Sequence, residues 1–293
     1  MKPRTLIVLL AGVTAVSFAA IFIRLSTAPP LIISFYRMFF SSVLIMLYFI
    51  YRGDIGSELK KLRQRDWFLL VLSGLFLSIH FAFWVTSLNH TSVASSVVLV
   101  TTQPIFIVLI ESIFLGKKPS KGFLLGLIIA GTGSFLIGYG DFHGTQFGLM
   151  GDLFALMGAV MAAGYFLIGG EVRRRISLLP YIFVVYGFSS VFLLIFCLAA
   201  DLPLVSYSPY NFGLFLLLAL IPTLIGHTSF NWLLSEVKAS MIWVTTLGEP
   251  IGSSLLAIVF FGEYPSYWVM AGGTFVLFSI YFLWRQEMLD DIA

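Results

Sequence analysis

Two short runs place polar groups beside prolines in otherwise apolar sequence. Thr101-Thr102-Gln103-Pro104 is the first, and Thr245-Thr246 followed by Glu249-Pro250 is the second. Proline lacks the amide hydrogen and frees the carbonyl four residues back in a helix, here those of Val100 and Thr246. Freed carbonyls and nearby hydroxyls can line a cavity for a polar solute. The same residues can also make packing kinks in which each threonine bonds its own backbone. Glu249 can stay protonated in a structural hydrogen bond, pair with a cation such as a substrate amine, or cycle protons. Arg37 keeps its charge in any surroundings, so it needs a carboxylate, carbonyls, a lipid phosphate or an anionic substrate group. His80 and Trp84 are four residues apart, as are His227 and Asn231, so each pair shares a face if helical. A histidine can titrate near neutral pH, or serve as a neutral hydrogen-bonding group. Tyr165 and Trp243 are candidate aromatic walls, and Glu111 lies seven residues beyond Pro104, on nearly the same face. The four histidines, His80, His90, His143 and His227, have no metal-ligand or nucleophile–base spacing, and Cys197 is the only cysteine. No catalytic residues, no metal site and no cofactor are expected.

The elements that must position these residues are membrane spans. Of 293 residues, 59% are hydrophobic and only 11% charged, with a mean hydropathy of +0.99. A soluble domain carries about 25% charged residues. The net charge of +3 is spread along the chain and makes no nucleic-acid patch. A helix needs about 20 mostly apolar residues to cross the hydrocarbon core. Runs of that kind occur at 5–26, 31–51, 67–88, 93–115, 121–140, 149–170, 179–200, 212–234, 240–261 and 266–286. They predict an all-α integral membrane protein of ten transmembrane helices. The first run is too long for a cleaved signal peptide, whose apolar core has about 7–15 residues. With the N-terminus in the cytoplasm, fifteen of the seventeen Lys and Arg residues fall on cytoplasmic positions, which places both termini there. Arg173-Arg174-Arg175 then reads as a topology anchor. On this reading the protein is multi-pass, in a bacterial inner (cell) membrane, with the lipid bilayer and a small-molecule substrate as partners.

The chain repeats itself. Pro104 and Gly116-Lys117-Lys118-Pro119-Ser120 recur as Pro250 and Gly262-Glu263-Tyr264-Pro265-Ser266, at one offset of 146 residues. Residues 1–140 and 149–286 are therefore two five-helix repeats. Five is odd, so the second enters the membrane inverted, and its outer flank carries Glu263 where the first has Lys117. Inverted repeats are a signature of secondary transporters, with a site near the midplane between the halves. Spans 3 and 8 are repeat equivalents, which brings the two histidine pairs toward one central space.

With Ser34-Phe35-Tyr36-Arg37 opening span 2, and the doubled Pro–Gly layout, the sequence resembles the ten-helix EamA-type branch of the drug/metabolite transporter superfamily. Lys117 departs from the acid that often follows the glycine in that family. The resemblance implies a carrier of small metabolites working by alternating access, an amino-acid exporter being the leading expectation. Nucleotide-sugar, sugar-phosphate or drug carriage is the alternative, followed by a non-transport intramembrane role. Coupling to protons or to the membrane potential is open.

Overall fold

The computed structural model describes residues 3–53, 59–60, 62–116, 121–144, 148–235 and 248–290. Among these, ten helices follow one another: α1 (Arg4–Leu25), α2 (Pro30–Arg52), α3 (Gln64–Ser87), α4 (Val93–Phe114), α5 (Lys121–Gly144), α6 (Gly148–Val172), α7 (Leu178–Ala199), α8 (Pro209–Leu233), α9 (Gly248–Phe261) and α10 (Tyr267–Asp290). Seven are long and apolar enough to cross a membrane over their described length; α5, α9 and α10 contribute shorter apolar stretches. The ends are set by ordinary capping chemistry. Ser92 accepts from the Ser95 amide at 3.0 Å to start α4, and Asp66 Oδ2 accepts from the Arg63 amide at 3.0 Å to start α3. Gly116 and Gly262 end α4 and α9 with φ of 66° and 63°, a left-handed conformation that glycine adopts without strain. They are the two glycines of the sequence repeat.

Large apolar side chains point outward: Ile7 is 66% exposed, Phe135 69% and Val259 77%. Such a surface suits contact with lipid. Inside, α3 packs along α6, α5 along α10, and α7 along both α2 and α3; α1 packs against α8 and α9. Exchanging each helix of the first five with its counterpart in the second maps α3–α6 onto α8–α1 and α4–α6 onto α9–α1. It leaves the α2–α7, α4–α9 and α5–α10 pairings unchanged. The α5–α10 crossing is close because Gly133 and Gly272 meet there: a Cβ on Gly272 would stand 2.4 Å from the Gly133 carbonyl oxygen.

Arg173 does not project to the membrane surface with its two neighbours. It is buried, donating from Nε to the Asn231 carbonyl at 3.0 Å and from Nη2 to Ser235 Oγ at 3.1 Å, with Nη1 on the Ile176 carbonyl. It pins the end of α6 to the end of α8, because a guanidinium can satisfy several backbone carbonyls at once.

Candidate functional site

Three of the described helices are interrupted. α1 breaks at Phe18, between a first part that ends at Ser17 and the second part Ala19–Leu25. There the Ser253 hydroxyl of α9 donates to the Ser17 carbonyl at 3.1 Å. α4 breaks at Thr101-Thr102, between Val93–Val100 and Gln103–Leu115, with Pro104 as the second residue of the new helix. α8 widens into a π-helix over Ala219–His227, which holds Pro222. Irregular backbone at membrane depth persists only where protein or a cavity satisfies it.

All three interruptions border one cavity of ≈ 30 Å³. Val16 and Ala19 of α1 flank it, with Val100, Thr101 and Gln103 of α4 and His227 and Phe230 of α8. His80 and Trp84 of α3, Ala162, Tyr165 and Phe166 of α6, and Glu249 of α9 complete the described lining. That space holds about two water molecules.

The structure therefore brings together His80, Trp84, Thr101, Gln103, Tyr165, His227 and Glu249, from both halves of the chain. Thr101 and Thr102 donate to their own helix, to the Val98 and Leu99 carbonyls at 2.8 and 2.6 Å. Of the two readings of these threonines, the backbone-bonding one describes their hydroxyls here, although Thr101 still borders the space. Pro104 and Pro250 shape helices behind the lining. Trp243, Thr245 and Thr246 lie outside the described residues. His80 Nδ1 lies 2.9 Å from the Gly158 carbonyl oxygen. Nδ1 must carry the proton there, which leaves Nε2 of the neutral ring as an acceptor. The ring stacks on Trp84 at 6.0 Å and 8°.

Asn231 stands behind the cavity. The Tyr165 hydroxyl donates to Asn231 Oδ1 at 2.7 Å, and Asn231 Nδ2 donates to the Tyr186 hydroxyl at 3.1 Å. Tyr186 and Thr228 hydroxyls meet at 3.3 Å, and Thr228 donates to the Thr223 carbonyl at 3.2 Å. Arg37 closes the chain by donating from Nε to Thr223 Oγ1 at 2.7 Å. At 0% exposure Arg37 reaches no lipid headgroup. Its guanidinium lies 4.2 Å over the Phe81 ring and is close enough to Glu249, His80 and His227 to act on each electrostatically. Thr223, Tyr186 and Thr228 were not singled out from sequence. Pro222, central in its span, was the one available signal for this part of α8. Among the described residues, no three His, Cys, Asp or Glu side chains gather as metal ligands would.

The profile of the EamA-like transporter family matches residues 3–139 and again residues 149–285. An uncharacterized transporter of Archaeoglobus fulgidus is 22% identical over 288 residues, 96% of each chain. The uncharacterized transporters YwfM and YdfC of Bacillus subtilis are 26% and 24% identical, covering 69% and 95% of this chain and 69% and 89% of their own. A solved crystal structure at 15% identity superposes over 96% of this chain and 97% of its own with a TM-score of 0.68, a shared fold.

Proposed function

Because the chain belongs to the EamA-like transporter family, and so is a multi-pass membrane transporter rather than an enzyme, we propose that it carries a small metabolite through the central cavity by alternating access. The observation that carries this reading is the convergence of three broken helices on one polar, aromatic-walled space. Carriers use discontinuous helices in this way, to offer backbone and side-chain groups to a solute at midplane. Residues 1–140 and 149–286 act as two inverted repeats that rock about those breaks, and the pairwise helix contacts support that symmetry. The solute is an amino acid and the direction is export. Tyr165, Trp84 and Phe166 supply apolar walls, while Glu249, Gln103 and His80 supply polar contacts. Both termini lie in the cytoplasm, as the distribution of Lys and Arg favours, and the bacterial and archaeal relatives are in line with a cell-membrane location. Glu249 is the group through which a proton gradient would couple.

Counterflow tests this reading. Proteoliposomes preloaded with unlabelled solute are given labelled amino acids, nucleosides or sugar phosphates, with and without a pH gradient. Accumulation of an amino acid is expected. Accumulation confined to nucleosides or sugar phosphates overturns the substrate, and no accumulation in the panel overturns the reading.

A further inference from the structure

Four buried polar atoms beside the cavity make no hydrogen bond: Nη1 and Nη2 of Arg37, Nε1 of Trp84 and Nδ1 of His227. All three side chains contact the Phe81 ring, which groups them around one residue. The Arg37 guanidinium lies 4.2 Å over that ring and 6.0 Å from the Trp84 ring. His227 meets Phe81 edge-on at 5.4 Å, and Trp84 lies at 6.5 Å. The face of Phe81 offsets part of the guanidinium charge but accepts none of its remaining N–H groups. A native fold pairs nearly all its buried polar atoms, and each exception needs a reason. Here the exceptions share a chemical sense. Guanidinium and indole N–H groups donate and cannot accept, and Nδ1 of His227 donates in one of its tautomers. An unmet set of donors around a fixed positive charge calls for an anion with several lone pairs. A carboxylate, with two oxygens, matches the fork of a guanidinium.

We infer that Arg37, Trp84 and His227 form a carboxylate subsite for the transported solute, filled when the cavity widens past its present lining to reach Arg37, which stands behind it. The inference rests on the carrier reading of the same cavity and deepens it. It adds donors at Arg37, Trp84 and His227 to the acceptors at Glu249 and Nε2 of His80, a set that suits a solute bearing both a carboxylate and an amine.

The test is binding to the full-length chain in lipid nanodiscs, read as a rise in melting temperature. The probes are the proteinogenic L-amino acids and the amide of each, which keeps the shape and the carbonyl and removes the negative charge. At least one acid should bind while its amide does not. Arg37→Lys and Trp84→Phe should each weaken that acid by about tenfold or more, the loss of one charge-assisted hydrogen bond. Trp84→Phe keeps an aromatic ring in the wall, so it carries the test if the Arg37 variants misfold. A merely structural role would lower the unliganded melting temperature and leave the acid-over-amide preference intact. Amides that bind as well as acids, an acid unaffected by either substitution, or no binding by any acid overturns the subsite. Counterflow in the same preparations separates the two readings. Carriage of a neutral or cationic solute keeps the carrier and removes the subsite, and acid-selective binding without counterflow does the reverse.

Discussion

Tyr165 sits at the border between the cavity and the hydrogen-bonded chain behind it, so its hydroxyl and its ring can be separated by substitution. Tyr165→Phe keeps the ring in the cavity wall and strips the donor from Asn231 Oδ1, on a side chain that is fully buried. A buried acceptor left unpaired costs about 1–3 kcal/mol. The variant should therefore unfold at a lower temperature in a fluorescence-detected melt, while transport in intact vesicles falls only modestly. An unchanged melting temperature would mean that Asn231 finds another donor at no cost. Glu249→Gln is the opposite case, since it changes charge and leaves the packing alone. If Glu249 moves the coupled proton, this variant should lose the response of uptake to a pH gradient, while solute exchange, which needs no net proton movement, falls only as far as the lost solute contact requires. Equal gradient-driven rates in variant and wild type would remove Glu249 from coupling.

The π-helix in α8 turns Thr223 toward Arg37 and sets His227 on the cavity. Pro222 has no amide hydrogen to give to a regular helix, and the Thr223 hydroxyl donates to the Leu218 carbonyl five residues back at 2.9 Å. Pro222→Ala restores the donor and lets the segment tighten by one residue, rotating Thr223 and His227 off their partners. Transport is expected to fall several-fold with the melting temperature held or raised, as measured on one purified sample; full transport would show that the widened turn is incidental. The ten spans were legible in the sequence because each is a continuous apolar run of membrane length. The α4 break was legible because Pro104 marks it. The α1 break was not: no proline or glycine lies at Ser17-Phe18, and the bend is fixed by Ser253 and by Gly226, which admits Val16, both more than two hundred residues away. Sequence also named most of the residues around the cavity, but it could not tell which stand on the lining and which behind it. Arg37 and Asn231 are behind because of how α2 and α8 pack, and that packing leaves no periodicity to read. Tyr186 and Thr223 escaped because single hydroxyls are common in apolar helices and nothing local distinguishes these two.

The two faces of the molecule are tied by unequal means. On one, Arg24 at the end of α1 meets Glu263, just past α9, at 2.6 Å. Arg24 also donates to the Leu88 carbonyl at 2.9 Å, and Glu263 accepts from the Val93 amide at 2.6 Å. Four chain segments from both halves are thus tied at one point. An exposed ion pair alone is worth about 0–1 kcal/mol, but this one is partly shielded and carries two further charge-assisted hydrogen bonds, the stronger kind. The repeat counterpart of Glu263 is Lys117, which can neither accept from an amide nor pair with an arginine. On the opposite face Asp66 and Arg175 stand 3.5 Å apart at the edge of a groove of ≈ 450 Å³. On the proposed alternating-access reading, rocking that opens the Arg24 face breaks this tie, which would then hold that face shut at rest. Arg24→Glu should therefore slow transport, and Arg24→Glu with Glu263→Arg should recover much of it by restoring the pair. Access gives a second measurement. Ala19 lines the cavity at 1% exposure, and a cysteine there, in a Cys197→Ser background, can be labelled with an impermeant maleimide applied from the Arg24 side. Arg24→Gln should raise its labelling rate several-fold, and the double charge swap should lower it again. Labelling indifferent to all these changes would mean that the ion pair only staples loops, and that closure of this face is set by the packing of α1 against α8 and α9.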